Sequence, residues 1–220
     1  MNKKFDLILF DLDGTLFDTA KTLLDSIKGA VKLAGLRELT EDELNTFIGP
    51  PVVFSLKGYY PHLTNDEIDN LTTMYRDYYM KNEMLKANLF PGMLDVLKGL
   101  KENGYKVALA TYKLMKCVIP LFENKDVAKY FDTLRGSTAE IGMSKTDIMR
   151  WAIEDCKITD CDKICMIGDT EHDLRGAINL GISFIGVNYG AKFKGLTEEE
   201  KNYEKIVAYV DNAIEILDYV

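Results

Sequence analysis

Phe5-Asp6-Leu7-Ile8-Leu9-Phe10-Asp11-Leu12-Asp13-Gly14-Thr15 decides the fold. A short, almost continuously apolar run ends abruptly in two carboxylates and an Asp-Gly turn. A run of that length and character reads as a strand buried on both faces, the habit of parallel sheets covered by helices. The aspartates fall at its carboxyl end, where open α/β sheets bind their ligands. Side chains alternate along an extended chain, so Asp11 and Asp13 project together while Leu12 turns toward the core. Two carboxylates side by side repel by about 4 kcal/mol at roughly 4 Å and an effective dielectric of about 20. A cation or a shared proton would offset that repulsion.

Further strands are expected at residues 107–110, 164–167 and 182–187, with a weaker one at 205–208. Helical patterns separate them. Pro91 and Gly92 open one with apolar positions Leu94, Leu97 and Leu100, stopped by Asn103-Gly104. Ser144 opens another that runs through Cys156, and a third over 171–180 ends at Gly181, a favourable residue just past a helix. This alternation predicts an α/β fold, a doubly wound, mainly parallel sheet.

Residues 18–86 break the alternation. Leu23, Leu24, Ile27, Val31 and Ala34 form a helical stripe closed by Gly35. Thr40-x-x-Glu43 and Thr64-x-x-Glu67 are capping boxes, the second opening a helix with Ile68, Leu71, Tyr75 and Tyr78 on one face. The expected organisation is an α/β core of residues 1–15 and 85–220 with an inserted α-helical cap domain at 16–84.

The chain has 220 residues, 47% of them hydrophobic, with 27 Lys+Arg against 35 Asp+Glu and a net charge of −8. Disorder and small disulfide scaffolds are excluded. The acidic balance argues against a nucleic-acid partner, which needs clustered basic residues. Residues 16–84 carry 7 basic and 11 acidic side chains, half the net charge, so neither part reads as a polyanion binder. The apolar run at 5–10 is too short for a membrane helix, and no signal-peptide pattern precedes it. The reading is therefore cytoplasmic, with no membrane partner. Cys117, Cys156, Cys161 and Cys165 are read as reduced structural thiols. Trp151 is expected to pack its helix on the sheet, and His62 and His172 to lie at the surface.

Three further features lie at strand ends or beside them. Gly168-Asp169 follows the strand at 164–167, with Asp173 one helical turn on. Thr111, followed by Tyr112 and Lys113, ends the strand at 107–110, where a hydroxyl and free N–H groups at a strand-to-helix turn make an anion site. Lys145 opens its helix against the helix dipole, a conflict that a bound anion removes. Singly, each has an ordinary reading: a turn, a helix cap, a capping threonine, a solvent-facing lysine. Together, Asp11, Asp13 and Asp169 are expected to converge as three carboxylates from two strand ends, with no thiolate or paired imidazole nearby, a hard-oxygen set that suits Mg²⁺.

In chain order, Asp11-x-Asp13-x-Thr15, Thr111, Lys145 and Gly168-Asp169-x-x-x-Asp173 resemble the four motifs of the haloacid dehalogenase superfamily of phosphohydrolases. The helical insertion resembles that family's small α-helical cap. Phe17-Asp18, Gly49-Pro50-Pro51 and Phe90-Pro91-Gly92 resemble its phosphoglycolate phosphatase-like branch. The resemblance implies that Asp11 attacks phosphorus to form an aspartyl-phosphate, and that Asp13 protonates the leaving oxygen and then activates water. It implies Mg²⁺ held by Asp11, the Asp13 carbonyl and Asp169, with Asp173 orienting Asp169 or a bound water. Thr111, the Tyr112 N–H and Lys145 would hold the phosphoryl oxygens, Lys113 would add positive charge, and Thr15 would brace the loop and Asp13. Asn or Ser often follows the second-motif hydroxyl in that family, so Tyr112 is a departure that narrows or reshapes the pocket.

The implied substrate is a small phosphorylated metabolite. Phosphoglycolate would need a cation for its carboxylate, which Lys57, Arg76 or Lys81 can supply. A 5'-nucleotidase or pyrophosphatase of the same superfamily remains an alternative. A sugar phosphomutase is disfavoured, because Gly49-Pro50-Pro51-Val52 lacks the arginine that resembling mutases carry there. A phospho-receiver domain, normally about half this length, and a non-catalytic binding protein fit less well.

Overall fold

The computed structural model describes residues 3–48, 52–137, 143–191 and 193–220. The chain divides into two compact units, Met1–Asp18 with Asn88–Val220, and Thr19–Ala87. Both boundaries fall three residues later than the sequence suggests. Strand β1 (Leu7–Phe10) leads to a short strand β2 (Phe17–Asp18), which pairs antiparallel with β3 (Asn88–Leu89). That ribbon keeps residues 16–18 with the sheet.

The helical unit contains α1 (Ala20–Leu33), α2 (Glu41–Asn45), α3 (Val52–Tyr59) and α4 (Asn65–Tyr78). Thr40 and Thr64 form the expected capping boxes with Glu43 and Glu67. Ile27, Val31, Leu44, Phe47, Leu56, Tyr60, Ile68 and Leu71 make its separate core. Ala34, expected on the buried stripe, is exposed just past the end of α1. The stretch Gly49-Pro50-Pro51 lies outside the described residues.

The other unit continues with α5 (Met93–Glu102), β4 (Lys106–Leu114), α6 (Met115–Asn124), β5 (Thr133–Ser137) and α7 (Lys145–Cys156). It ends with β6 (Ile164–Gly168), α8 (Glu171–Leu180), β7 (Ser183–Val187), the single turn α9 (Glu198–Lys201) and β8 (Ile206–Val210). Six strands form one parallel sheet in the order β5-β4-β1-β6-β7-β8. Every residue of β1 is fully buried, and burying each such side chain contributes roughly 1.5–3 kcal/mol. Strand β1 pairs with β4 on one side and β6 on the other, in register Phe10–Leu109 and Phe10–Ile167. The strand order reverses at β1, and at such a switch point the strand ends leave a crevice for a ligand.

Three local expectations need correction, and one strand, β5, forms where none was expected. Strand β4 runs past Ala110 to Leu114, so Thr111, Tyr112 and Lys113 lie in the strand rather than in a turn. Its pairing with β5 shifts register between Thr111 and Leu114. Gly136 makes room for this, since a Cβ there would stand 2.5 Å from the Lys113 carbonyl oxygen. Strand β5 itself, half-buried at the sheet edge with Arg and Gly in its sequence, carries no continuous apolar run. Helix α5 buries Met93, Val96, Leu97 and Leu100, leaving Leu94 partly exposed. Trp151 is 38% exposed, because the buried stripe of α7 follows Lys145, Ile148, Met149, Ala152 and Cys156. Its ring instead lies 5.8 Å from the Arg135 guanidinium.

Among the described residues, no helix is long and apolar enough to cross a membrane. All four cysteines are free thiols, three of them buried and Cys161 exposed.

Candidate active site

Asp11 and Asp169 follow the last residues of the neighbouring strands β1 and β6, Thr111 lies within β4 on the other side of β1, and the first residue of α7 adds Lys145. Asp11 is 7% exposed and Asp169, Asp173 and Lys145 are 0%, 0% and 4% exposed, so the charged groups meet almost out of water. The Lys145 Nζ lies 2.5 Å from Asp11 Oδ1 and 2.6 Å from Asp173 Oδ1. Burial works against the ammonium, but Asp11 and Asp173 outweigh it and hold Lys145 firmly charged. The dipole conflict expected at Lys145 is resolved by these two carboxylates: the side chain leaves the helix terminus and bridges them.

Asp173 has a different partner from the one expected. Its Oδ2 accepts from the Thr170 N–H at 3.1 Å and the Thr170 hydroxyl at 2.7 Å, which fixes it at the start of α8. Its other oxygen faces the Lys145 ammonium at 2.6 Å. Gly168 permits this: a Cβ there would stand 2.4 Å from the Asp173 Cβ.

Thr15 also has a different role. Its hydroxyl, fully buried, donates to Asp169 Oδ1 at 2.9 Å rather than to Asp13. The Ala191 N–H donates to Asp169 Oδ2 at 2.6 Å. Gly14, at φ +82°, and Gly190 close on this carboxylate: a Cβ on Gly14 would lie 2.0 Å from Asp169 Oδ2, and one on Gly190 2.0 Å from the Gly14 carbonyl oxygen. The sequence reading missed Tyr189, Gly190 and Ala191. Their only signal was a Tyr-Gly pair just beyond the strand expected at 182–187. The Tyr189 hydroxyl donates to the Thr15 carbonyl at 3.2 Å, tying the same loop down.

Asp13 stands apart from this buried group. Its side chain is 40% exposed and both oxygens face Lys113 Nζ, at 2.7 and 3.1 Å. Lys113, expected only as nearby positive charge, is thus a direct partner of Asp13. Thr111 is buried, and its hydroxyl accepts from the Lys113 N–H at 3.1 Å. The Tyr112 hydroxyl accepts from the Lys145 N–H at 2.8 Å. His172 is exposed, as expected, with its ring edge-on to Tyr112. Lys57, Arg76 and Lys81 are exposed on the helical unit.

Asp11, Asp169 and Asp173 each offer a carboxylate oxygen, all within 4.8 Å of one another. Burial, together with Asp173, pushes the Asp11 carboxyl up to about 6 against the pull of Lys145. Burial, Asp11 and Asp173 push Asp169 up to about 8, against the Ala191 N–H and Thr15 hydroxyl. Lys145 pairs with Asp173 and with one side of Asp11. The Asp11–Asp169 side has hard oxygen donors and too little positive charge, and it fits a divalent cation.

Comparisons with known proteins identify the family. The phosphoglycolate phosphatase of Agrobacterium fabrum is 29% identical over 189 residues, covering 84% of this chain and 81% of that protein. A solved structure of a predicted phosphatase from Clostridium acetobutylicum is 31% identical, with a TM-score of 0.78 over 97% of this chain and 96% of that one. A haloacid dehalogenase-like family hydrolase from Streptococcus pneumoniae superposes with a TM-score of 0.83 at 26% identity, covering 98% of each chain. The sequence profile of haloacid dehalogenase-like hydrolases matches residues 8–187, from β1 to the end of β7. The chain belongs to the haloacid dehalogenase-like hydrolase family.

Proposed function

We propose that this hydrolase is a Mg²⁺-dependent phosphatase acting on a small phosphomonoester through an aspartyl-phosphate, with phosphoglycolate the first substrate to test. One observation carries the reading. A buried carboxylate, Asp11, is oriented at the end of the central strand by a lysine 2.5 Å away, with a second carboxylate pair behind it. Such a group can attack an electrophile that brings its own negative charge only if cations surround the meeting point.

In this mechanism an Asp11 oxygen bonds to phosphorus while the ester P–O bond breaks, and Asp13 gives its proton to the departing alkoxide. Asp13 then takes a proton from water as that water attacks phosphorus and breaks the Asp11–phosphorus bond, which returns both carboxyl groups to their starting states. Lys145 and the Thr111 hydroxyl hold the non-bridging phosphoryl oxygens, and Lys113 adds charge beside Asp13. Asp11, Asp169 and the Asp13 main-chain carbonyl would hold Mg²⁺, which offsets charge between the carboxylate and the phosphate.

A panel of phosphoglycolate, nucleoside monophosphates, sugar phosphates and pyrophosphate, assayed with Mg²⁺ and with chelator, tests this reading. Phosphate release that needs Mg²⁺ and disappears in Asp11→Asn supports it. Release that survives in a folded Asp11→Asn protein removes Asp11 as nucleophile.

A further inference from the structure

The opening of α7 presents backbone donors that the helix itself cannot satisfy. The first N–H groups of a helix have no partner within it. Ser144 answers part of this need: its hydroxyl accepts from the Asp147 N–H at 3.2 Å, and Asp147 Oδ2 accepts from the Ser144 hydroxyl and N–H at 2.6 and 3.2 Å. That box does not reach the Lys145 N–H. This N–H donates instead to the Tyr112 hydroxyl at 2.8 Å, across to β4.

The same tyrosine meets Lys145 a second time. Its ring centroid lies 5.6 Å from the Lys145 Nζ, within the range of a cation–π contact. The ammonium therefore has Asp11 and Asp173 at 2.5 and 2.6 Å and an aromatic ring as its further neighbour. The His172 ring packs edge-on against Tyr112 at 5.6 Å and supports the tyrosine ring from α8. Tyr112 is 44% exposed, so core packing does not account for its place. An asparagine or serine at 112 has neither the reach nor the ring to make this pair of contacts.

We infer that Tyr112 is a positioning residue for Lys145, gripping both its backbone N–H and its ammonium so that the lysine stands ready between Asp11 and Asp173. Its side chain acts on the lysine rather than on the substrate. The kinetic consequence rests on the phosphatase reading, whereas the structural consequence does not.

The test uses the full chain and the variants Tyr112→Phe, Lys145→Ala and the double variant. Losing one hydrogen bond of this kind should lower kcat about 3- to 10-fold while KM changes little. Calorimetry with inorganic orthovanadate should show a matching loss in affinity. In the Lys145→Ala background, Tyr112→Phe should cost nothing further in either measurement. Independently of any turnover, the Lys145 amide proton should exchange faster with solvent in Tyr112→Phe, read by ¹H–¹⁵N NMR. If no ester is hydrolysed, the phosphatase reading fails, and exchange still decides the inference. An unchanged Lys145 amide overturns it, as does an equal effect of Tyr112→Phe with and without Lys145. If Lys145→Ala does not fold, the exchange rate in Tyr112→Phe alone is decisive.

Discussion

Lys113 Nζ grips Asp13 by both carboxylate oxygens, at 2.7 and 3.1 Å, although the two residues lie on different strand ends of the sheet. The proposed chemistry requires Asp13 to carry a proton, so one of those oxygens has to be let go during turnover. A substrate phosphate is the natural competitor, because it offers Lys113 more negative charge than one carboxylate.

Lys113→Met should therefore act mainly on substrate capture. We expect KM to rise about 10-fold, since charge-assisted hydrogen bonds contribute about 1.5–3 kcal/mol. Asp13 is 40% exposed, and ion pairs near solvent contribute about 0–1 kcal/mol, so the melting temperature should barely move. A variant with unchanged KM would remove Lys113 from the phosphate site.

Thr15→Val keeps the volume of the buried side chain but removes the hydroxyl that Asp169 Oδ1 accepts from. Outer partners of metal ligands typically contribute 10- to 100-fold in affinity. Mg²⁺ binding by calorimetry should weaken by about 10-fold, with activity recovered at high Mg²⁺. Loss that Mg²⁺ does not restore would place the role of Thr15 in folding instead.

Gly190→Ala tests how tightly the Asp169 carboxylate is enclosed. The added methyl would meet the Gly14 carbonyl at 2.0 Å and Asp169 Oδ2 at 2.6 Å, neither of them at the end of a long flexible side chain. Overpacking of this kind costs about 1–3 kcal/mol. The expected result is a lower melting temperature and weaker Mg²⁺ binding; a variant like the parent in both would mean that the loop moves aside freely.

Asp11 and Asp169, raised to about 6 and about 8, keep protons in the folded metal-free protein that the unfolded chain has already released. The folded state then binds more protons than the unfolded one, so stability falls as pH rises through these values. In chelator, the melting temperature should drop between pH 6 and pH 8, more steeply than in Asp169→Asn. Added Mg²⁺ should flatten the slope. Parallel slopes for parent and variant would contradict this electrostatic account.

Strand and helix order were legible because the patterns are local: β1 and β6 are continuous apolar runs and β7 is nearly one, and the capping boxes at Thr40, Thr64 and Ser144 mark helix starts. The candidates Asp11 and Asp169 stood out because each directly follows an apolar strand, β1 or β6. The partnerships did not. That Thr15 serves Asp169, Asp173 serves Lys145 and Lys113 serves Asp13 depends on how strand ends separated by long stretches of chain are set side by side. Edge strand β5 escaped for a related reason: it is specified by its neighbour and by Gly136, not by its own hydrophobicity.

The order of strands in the sheet has a consequence for how the protein is made. Strand β1 is synthesised first, yet its two neighbours begin at Lys106 and Ile164. This fully buried strand must therefore wait for its first partner until the helical unit and α5 have left the ribosome, and for its second until β6 has. Contacts at such separation are slow to form. Asp11 gains Lys145 and Asp169 as neighbours only once α7 and β6 have docked beside β1, so under the proposed mechanism turnover cannot begin before those two elements are in place.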